Sequence, residues 1–154
     1  MKKDNGFTLV ELMITLVVAG ILATIGVPGF QYLVQSNRMS TQTNDLVTAL
    51  STARTEAVRR NQEVTLEPID NDWEVGFRVM ADGSPDPLRT FTTSEAVSIN
   101  QAPGEVRYLG NGSRGFDEDA VTFQLRPNND CLGDMERTIT ISPGGSVRTE
   151  RGQC

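Results

Sequence analysis

The sequence predicts an α+β protein: one long N-terminal helix packed on an antiparallel β-sheet domain. Three observations predict it. Residues Gly6 to Val27 form an apolar run of membrane-spanning length broken by a single charge, Glu11. Past that run, apolar residues keep a helical spacing as far as about Arg60. From about residue 63 the chain splits into short β-prone runs separated by Gly, Pro, Asn and Asp.

The chain starts with a polar, basic segment, 1–6, in which Lys2 and Lys3 hold that end in the cytoplasm by the positive-inside bias. Residues 7–27 then read as a transmembrane helix, since 21 residues rise about 31 Å against a hydrocarbon core of about 30 Å. Everything after the anchor is expected outside the inner membrane, in the periplasm of a two-membrane bacterium. An ionised carboxylate in hydrocarbon costs up to about 2.5–3.5 kcal/mol on insertion scales, so it is retained mainly where it finds a partner. Glu11 therefore marks a helix built to meet another protein chain. A secretory signal peptide has an apolar region of only about 7–15 residues and a small-x-small cleavage site; Phe7 to Val27 is longer and no Ala-x-Ala follows. A plain anchor fits the length and leaves Glu11 unexplained.

Gly20, Gly26, Pro28 and Gly29 weaken the middle of the helix, because proline deletes a backbone donor and glycine is entropically costly there. A kink is expected near Pro28. Residues 28–62 continue as an amphipathic helix in which Leu46, Leu50, Ala53 and Ala57 share one face, with Val47 and Val58 beside them. That stripe is expected to pack on a sheet. Arg59-Arg60 reads as a solvated helix end whose cations suit the C-terminal dipole.

Candidate strands in the 63–154 domain are Val64–Glu67, Trp73–Met80, Leu88–Thr92, Val97–Asn100, Glu105–Leu109, Ala120–Leu125, Thr138–Ser142 and Ser146–Glu150. Asp70-Asn71, Asp82-Gly83-Ser84-Pro85, Ala102-Pro103-Gly104, Gly110-Asn111-Gly112 and Pro143-Gly144-Gly145 supply the breaks. The last two candidates, joined by Pro-Gly-Gly, make the clearest hairpin.

The 154 residues leave room for one modest globular domain beyond the anchor. A formal charge of −6 disfavours non-specific polyanion binding over most of the surface. Cys131 and Cys154 are the two cysteines, an even count in an exported region, which favours a bridge over a free pair. The chain has no histidine, so it offers no nucleophile–base pair involving imidazole and little basis for a metal site. Neither a phosphate-cradling glycine motif nor a G-x-S-x-G elbow occurs. Asp117-Glu118-Asp119 could hold a cation or act as an acid, but neighbouring acids in an exposed loop are more often solvated charge. Neither enzyme activity nor a cofactor is expected.

The N-terminal pattern resembles the class III signal of type IV prepilins and type II secretion pseudopilins. The resemblance implies that a prepilin peptidase cuts between Gly6 and Phe7 and N-methylates Phe7. It also implies that Glu11 serves subunit assembly by facing the new amine of a neighbouring subunit. Gly20 and Pro28 match positions where that family carries helix-weakening residues, and filament models show this stretch losing helical order. Many pilins also staple a C-terminal region with a disulfide, here Cys131–Cys154.

A second segment narrows the resemblance. The stretch from Leu46 to Asn61, in which Leu50-Ser51-Thr52-Ala53-Arg54-Thr55-Glu56-Ala57 precedes a basic turn, is similar to the helix end of the GspH, FimT and FimU group. This implies a low-abundance structural subunit, a minor pilin that helps initiate or cap a type IV pilus; the GspH alternative places it in a secretion pseudopilus. Implied partners are other minor and major pilins or pseudopilins, the prepilin peptidase and the inner membrane. Some FimT proteins bind DNA through a C-terminal Gly-Arg-x-Arg element. The matching residues here are Gly145-Ser146-Val147-Arg148, without the first arginine. Arg148 and Arg151, with Arg137 alongside, would then give weak, salt-sensitive DNA contact.

Overall fold

The computed structural model describes residues 7–115, 119–128, 131 and 133–154. Its elements are α1 (Leu9–Arg60), β1 (Val64–Ile69), β2 (Asp72–Ala81), β3 (Arg89–Thr92), β4 (Val97–Asn100), β5 (Val106–Tyr108), β6 (Val121–Pro127), β7 (Glu136–Ile141) and β8 (Val147–Gly152). The chain divides into two units, Met1–Val34 and Gln35–Cys154.

In the first unit, α1 starts at Leu9 rather than Phe7 because Thr8 acts as its N-cap. The Thr8 hydroxyl accepts a hydrogen bond from the Glu11 N–H at 3.2 Å, and the Thr8 carbonyl accepts from the Leu12 N–H at 3.2 Å. Thr8 and Glu11 have the spacing of a capping box, and Phe7 and Leu12 occupy the positions of the accompanying hydrophobic staple. Further along, Thr15 and Thr24 satisfy their hydroxyls on the carbonyls of Leu12 and Ile21. The helix runs through Gly20 and Pro28 without interruption, so neither residue breaks it. A proline removes one donor, and the bonds on either side continue the helical pattern.

In the second unit, the buried face of α1 comprises Met39, Gln42, Thr43, Leu46, Ala49, Leu50, Ala53 and Ala57. The four expected stripe residues are all fully buried, and Val47 packs against the core. Val58 differs from expectation: one step of about 100° past Ala57 turns it to the outside, where it is 52% exposed. The helix ends in a Schellman motif. Asn61 takes a left-handed φ of 51°, Gln62 N–H bonds to the Ala57 carbonyl at 3.2 Å, and Asn61 N–H to that of Val58 at 3.3 Å.

All eight expected strands form, and they divide into two antiparallel sheets ordered β3-β2-β1-β5 and β4-β6-β7-β8. The sequence pattern gave no sign of that division. Asp70 and Asn71, with φ of 54° and 60°, make the two-residue type I′ connection from β1 to β2. Alternate residues of the strands face the core, where the Trp73 ring of β2 meets Phe123 of β6 edge-on at 4.8 Å and so joins the two sheets. Trp73 Nε1 is satisfied by the Pro103 carbonyl at 2.8 Å.

The strand β7 begins two residues before its expected start, at Glu136, because charged residues there are buried with partners. The Glu136 carboxylate accepts from Gln124 Nε2 at 2.8 Å and from Arg126 Nε at 2.6 Å. The Gln124 hydrogen bond is the main cause holding this carboxyl below its ordinary pKa; burial opposes it and Arg126 reinforces it. Arg137 turns to the other face and donates from Nη1 to the carbonyls of Asp134 and Glu136.

Candidate functional site

The first candidate surface is the apolar half of α1. Every large apolar residue from Phe7 to Val27 is at least 49% exposed, and the most apolar 18 residues contribute nothing to any buried core. Glu11 is the one charged residue between Phe7 and Asn37. Among the described residues its carboxylate makes no ion pair or side-chain hydrogen bond. Its position in the first turn of α1 gains about 0.3–1 kcal/mol from the helix dipole. Phe7 is 81% exposed at the tip of this helix, and Gly6, the other half of the expected cleavage site, lies outside the described residues with Lys2 and Lys3.

The second candidate surface is the C-terminal hairpin. Pro143-Gly144-Gly145 forms a three-residue loop, with Gly145 N–H bonded to the Ser142 carbonyl at 2.9 Å and Ser142 N–H to the Ser146 carbonyl at 3.0 Å. Gly145 has φ of 79°, the left-handed conformation such a loop needs at its third position. The loop does not project. A side chain at Gly145 would meet the Gly112 carbonyl oxygen, Tyr108 and Arg54. Arg54 Nη2 donates to the Gly144 carbonyl at 3.2 Å, and Arg114 N–H donates to that of Pro143 at 2.8 Å.

Cys131 and Cys154 form the expected disulfide, with Cα atoms 5.5 Å apart. Cys154 N–H also bonds to the Gly133 carbonyl at 3.0 Å, so the chain end is fixed twice. Arg148 and Arg151 are both exposed, yet they do not form one cationic patch. In a strand, residues separated by three positions face opposite sides. Arg148 pairs with Glu150 at 2.9 Å on one face, and Arg151 lies on the other, opposite Arg137. Arg137 is buried, so the structure does not bring it alongside the other two as an exposed cation. Of the acidic run, Asp117 and Glu118 lie outside the described residues; Asp119 is exposed, and its carbonyl accepts from Arg114 Nη1 at 2.9 Å. Arg59 and Arg60 share the Glu56 carboxylate at 2.6 and 2.9 Å, as a solvated helix end would.

Sequence reasoning missed Thr8, Arg54 and the Gly112–Gly145 contact. The Thr8–Glu11 spacing was a readable signal for the first. Arg54 and the two glycines come together only in the folded domain.

The chain is similar to known proteins along most of its length. The family described as Type II transport protein GspH matches residues 42–145, and the prokaryotic N-terminal methylation motif matches residues 1–27. Two fimbrial proteins of Pseudomonas aeruginosa are each 35% identical over 147 residues, covering 93% of this chain and 90% of theirs. The crystal structure of the type IV minor pilin FimU from Pseudomonas aeruginosa superposes with a TM-score of 0.62 at 25% identity, covering 76% of this chain and 94% of that one. The minor pseudopilin EpsH of Vibrio cholerae shares the fold, with a TM-score of 0.56 at 14% identity over 74% of this chain and 97% of its own. On the family match over residues 42–145, the methylation motif over 1–27 and the relatives at 35% identity, the chain belongs to the GspH family of type IV pilin-like minor pilins and pseudopilins.

Proposed function

We propose that this chain is a structural minor subunit of a type IV pilus, one that helps start or cap filament growth near the tip. The carrying observation is Glu11, the one charge between Phe7 and Val27, a stretch whose large apolar side chains are all exposed. On this reading a prepilin peptidase cuts between Gly6 and Phe7 and N-methylates Phe7. The exported domain lies in the periplasm until assembly. Glu11 then faces the Phe7 amine of a neighbouring subunit, and each charge removes the other's desolvation penalty. Subunits join and the buried charge is cancelled in one step. Gly20 and Pro28 would let the helix loosen as it leaves the lipid. The chain's role is assembly, with no catalytic step.

The test is Glu11→Ala in cells, with piliation and co-purification of other pilins as the measurements. Loss of co-purification with normal abundance is expected; unchanged assembly would refute the role given to Glu11. A second reading, a GspH-like subunit of a secretion pseudopilus, is favoured by the description of the matching family. Neighbouring genes separate the two: other prepilins with a tip adhesin support the pilus, and a secretion operon supports the pseudopilus.

A further inference from the structure

We propose that β8 is a strand-addition site, on which another filament subunit lays an extended, acidic strand. This rests on the reading that the chain is a filament subunit, and it names the face by which the domain meets a neighbour. Two sheets leave four edges, formed by β3, β5, β4 and β8. Three of them are short, with four, three and four residues, which is a common way for proteins to blunt an edge. β8 has six and is the exception.

The phase of the β7–β8 ladder determines what that edge offers. Because Ser142 N–H bonds to the Ser146 carbonyl, the hydrogen-bonding positions alternate from there, and Arg148, Glu150 and Gly152 direct their backbone groups to β7. Val147, Thr149 and Arg151 therefore direct theirs outward. Among the described residues no backbone group bonds to them from that side.

β8 also has no fully buried side chain of its own, yet it is fixed at both ends. At one end Gly145 is wedged against Gly112; at the other Cys154 is tied to Cys131 and Gly133. A strand held straight in advance loses little entropy when a partner pairs with it. Its charges specify the partner's chemistry. Arg148, Glu150 and Arg151 give the strand a net +1 on a chain of −6, which suits acidic side chains opposite. The Arg148–Glu150 bridge is 80% and 58% exposed, so exchanging it for a cross-strand pair costs little. The opposed directions of Arg148 and Arg151 suit an incoming strand better than a nucleic-acid backbone lying on one face.

The experiment uses the full-length chain in its native cells, with a photo-cross-linking residue at Glu150. The expected product is an adduct with a different protein carrying the same N-terminal methylation motif, identified by mass spectrometry. Thr149→Pro removes an outward donor and leaves the β7 ladder intact, so it should cut the adduct about fivefold, the loss expected for one backbone hydrogen bond. Should that variant lower abundance, Thr149→Asp keeps the backbone and sets a like charge against an acidic strand, with the same expected loss. No pilin-like adduct, a nuclease-sensitive adduct, or an adduct with a second copy of this chain would each overturn the proposal. A cross-linker at Leu16 separates the two levels: if it captures pilin-like proteins while Glu150 does not, strand addition fails and the subunit reading stands. If neither position captures one, both fail.

Discussion

Arg54 of α1 donates to the carbonyl of Gly144 at 3.2 Å, across 90 positions of sequence. The arginine belongs to the helix segment that resembles the GspH group, and the glycine to the final hairpin. Their contact gives the segment a physical role: it clasps the end of the helix to the loop that starts β8. Arg54 Nε also lies 3.3 Å from where a Cβ on Gly145 would stand.

Gly145→Ala tests this clasp. The substitution forces a Cβ toward the Gly112 carbonyl at a left-handed φ of 79°, so unfolding of the Gln35–Cys154 unit should become easier by about 2 kcal/mol. Arg54→Ala should cost less, about 1 kcal/mol, for one hydrogen bond and some packing. Denaturant titration measures both. A Gly145→Ala domain as stable as the parent would show that the loop is free to shift.

Tyr108 makes a pH-dependent prediction. Burial is the main cause that raises its phenol from 10.0 to about 12, with Arg54 and Arg114 opposing. Among the described residues its hydroxyl has no hydrogen-bond partner. The unfolded chain releases this proton near 10 and the folded chain only near 12. Stability is therefore unaffected below pH 10 and falls between pH 10 and 12, by on the order of 2 kcal/mol. Tyr108→Phe should flatten that decline and cost little at neutral pH. An equally steep alkaline loss in the variant would place its origin elsewhere.

Much of the fold was legible because its signals are local. Leu46, Leu50, Ala53 and Ala57 lie at helical spacing, and each break between strands carries its own turn residues, as Asp70-Asn71 and Pro143-Gly144-Gly145 do. The missed features depend on tertiary context. Glu136 and Arg137 look too polar to begin a strand until Gln124, Arg126 and two carbonyls satisfy them. Two sheets rather than one follow from pairings such as Val64 with Tyr108 and Val97 with Pro127, which strand propensity does not encode. At the candidate site, Glu11 stood out in sequence because one charge in an apolar run needs a partner. The separation of Arg148 from Arg151 required only the two-residue period of a strand, once the strand's bounds were known.

Removing the disulfide should loosen the chain end. It joins residues 23 positions apart, for which chain-entropy reasoning gives about 3 kcal/mol. Replacing Cys131 and Cys154 with serine should lower the unfolding midpoint under oxidising conditions and leave the reduced protein's midpoint nearly unchanged. Equal midpoints for parent and variant in oxidant would remove the bridge from the stability account.

Nucleic-acid binding should be weak. With Arg148 paired to Glu150 and Arg137 buried, gel shifts of the Gln35–Cys154 unit should show little affinity, and what remains should vanish between about 50 and 200 mM salt. Tight binding that Arg148→Ala abolishes would contradict this and restore the hairpin as a DNA contact.

The central claim is that Glu11 is retained to meet an amine created at Phe7 of a neighbouring subunit. Mass spectrometry of the N-terminal peptide from sheared filaments tests it most directly. The account predicts this chain in the filament fraction, starting at an N-methylated Phe7. Recovery only from membranes, with Met1, Lys2 and Lys3 still attached, would contradict it.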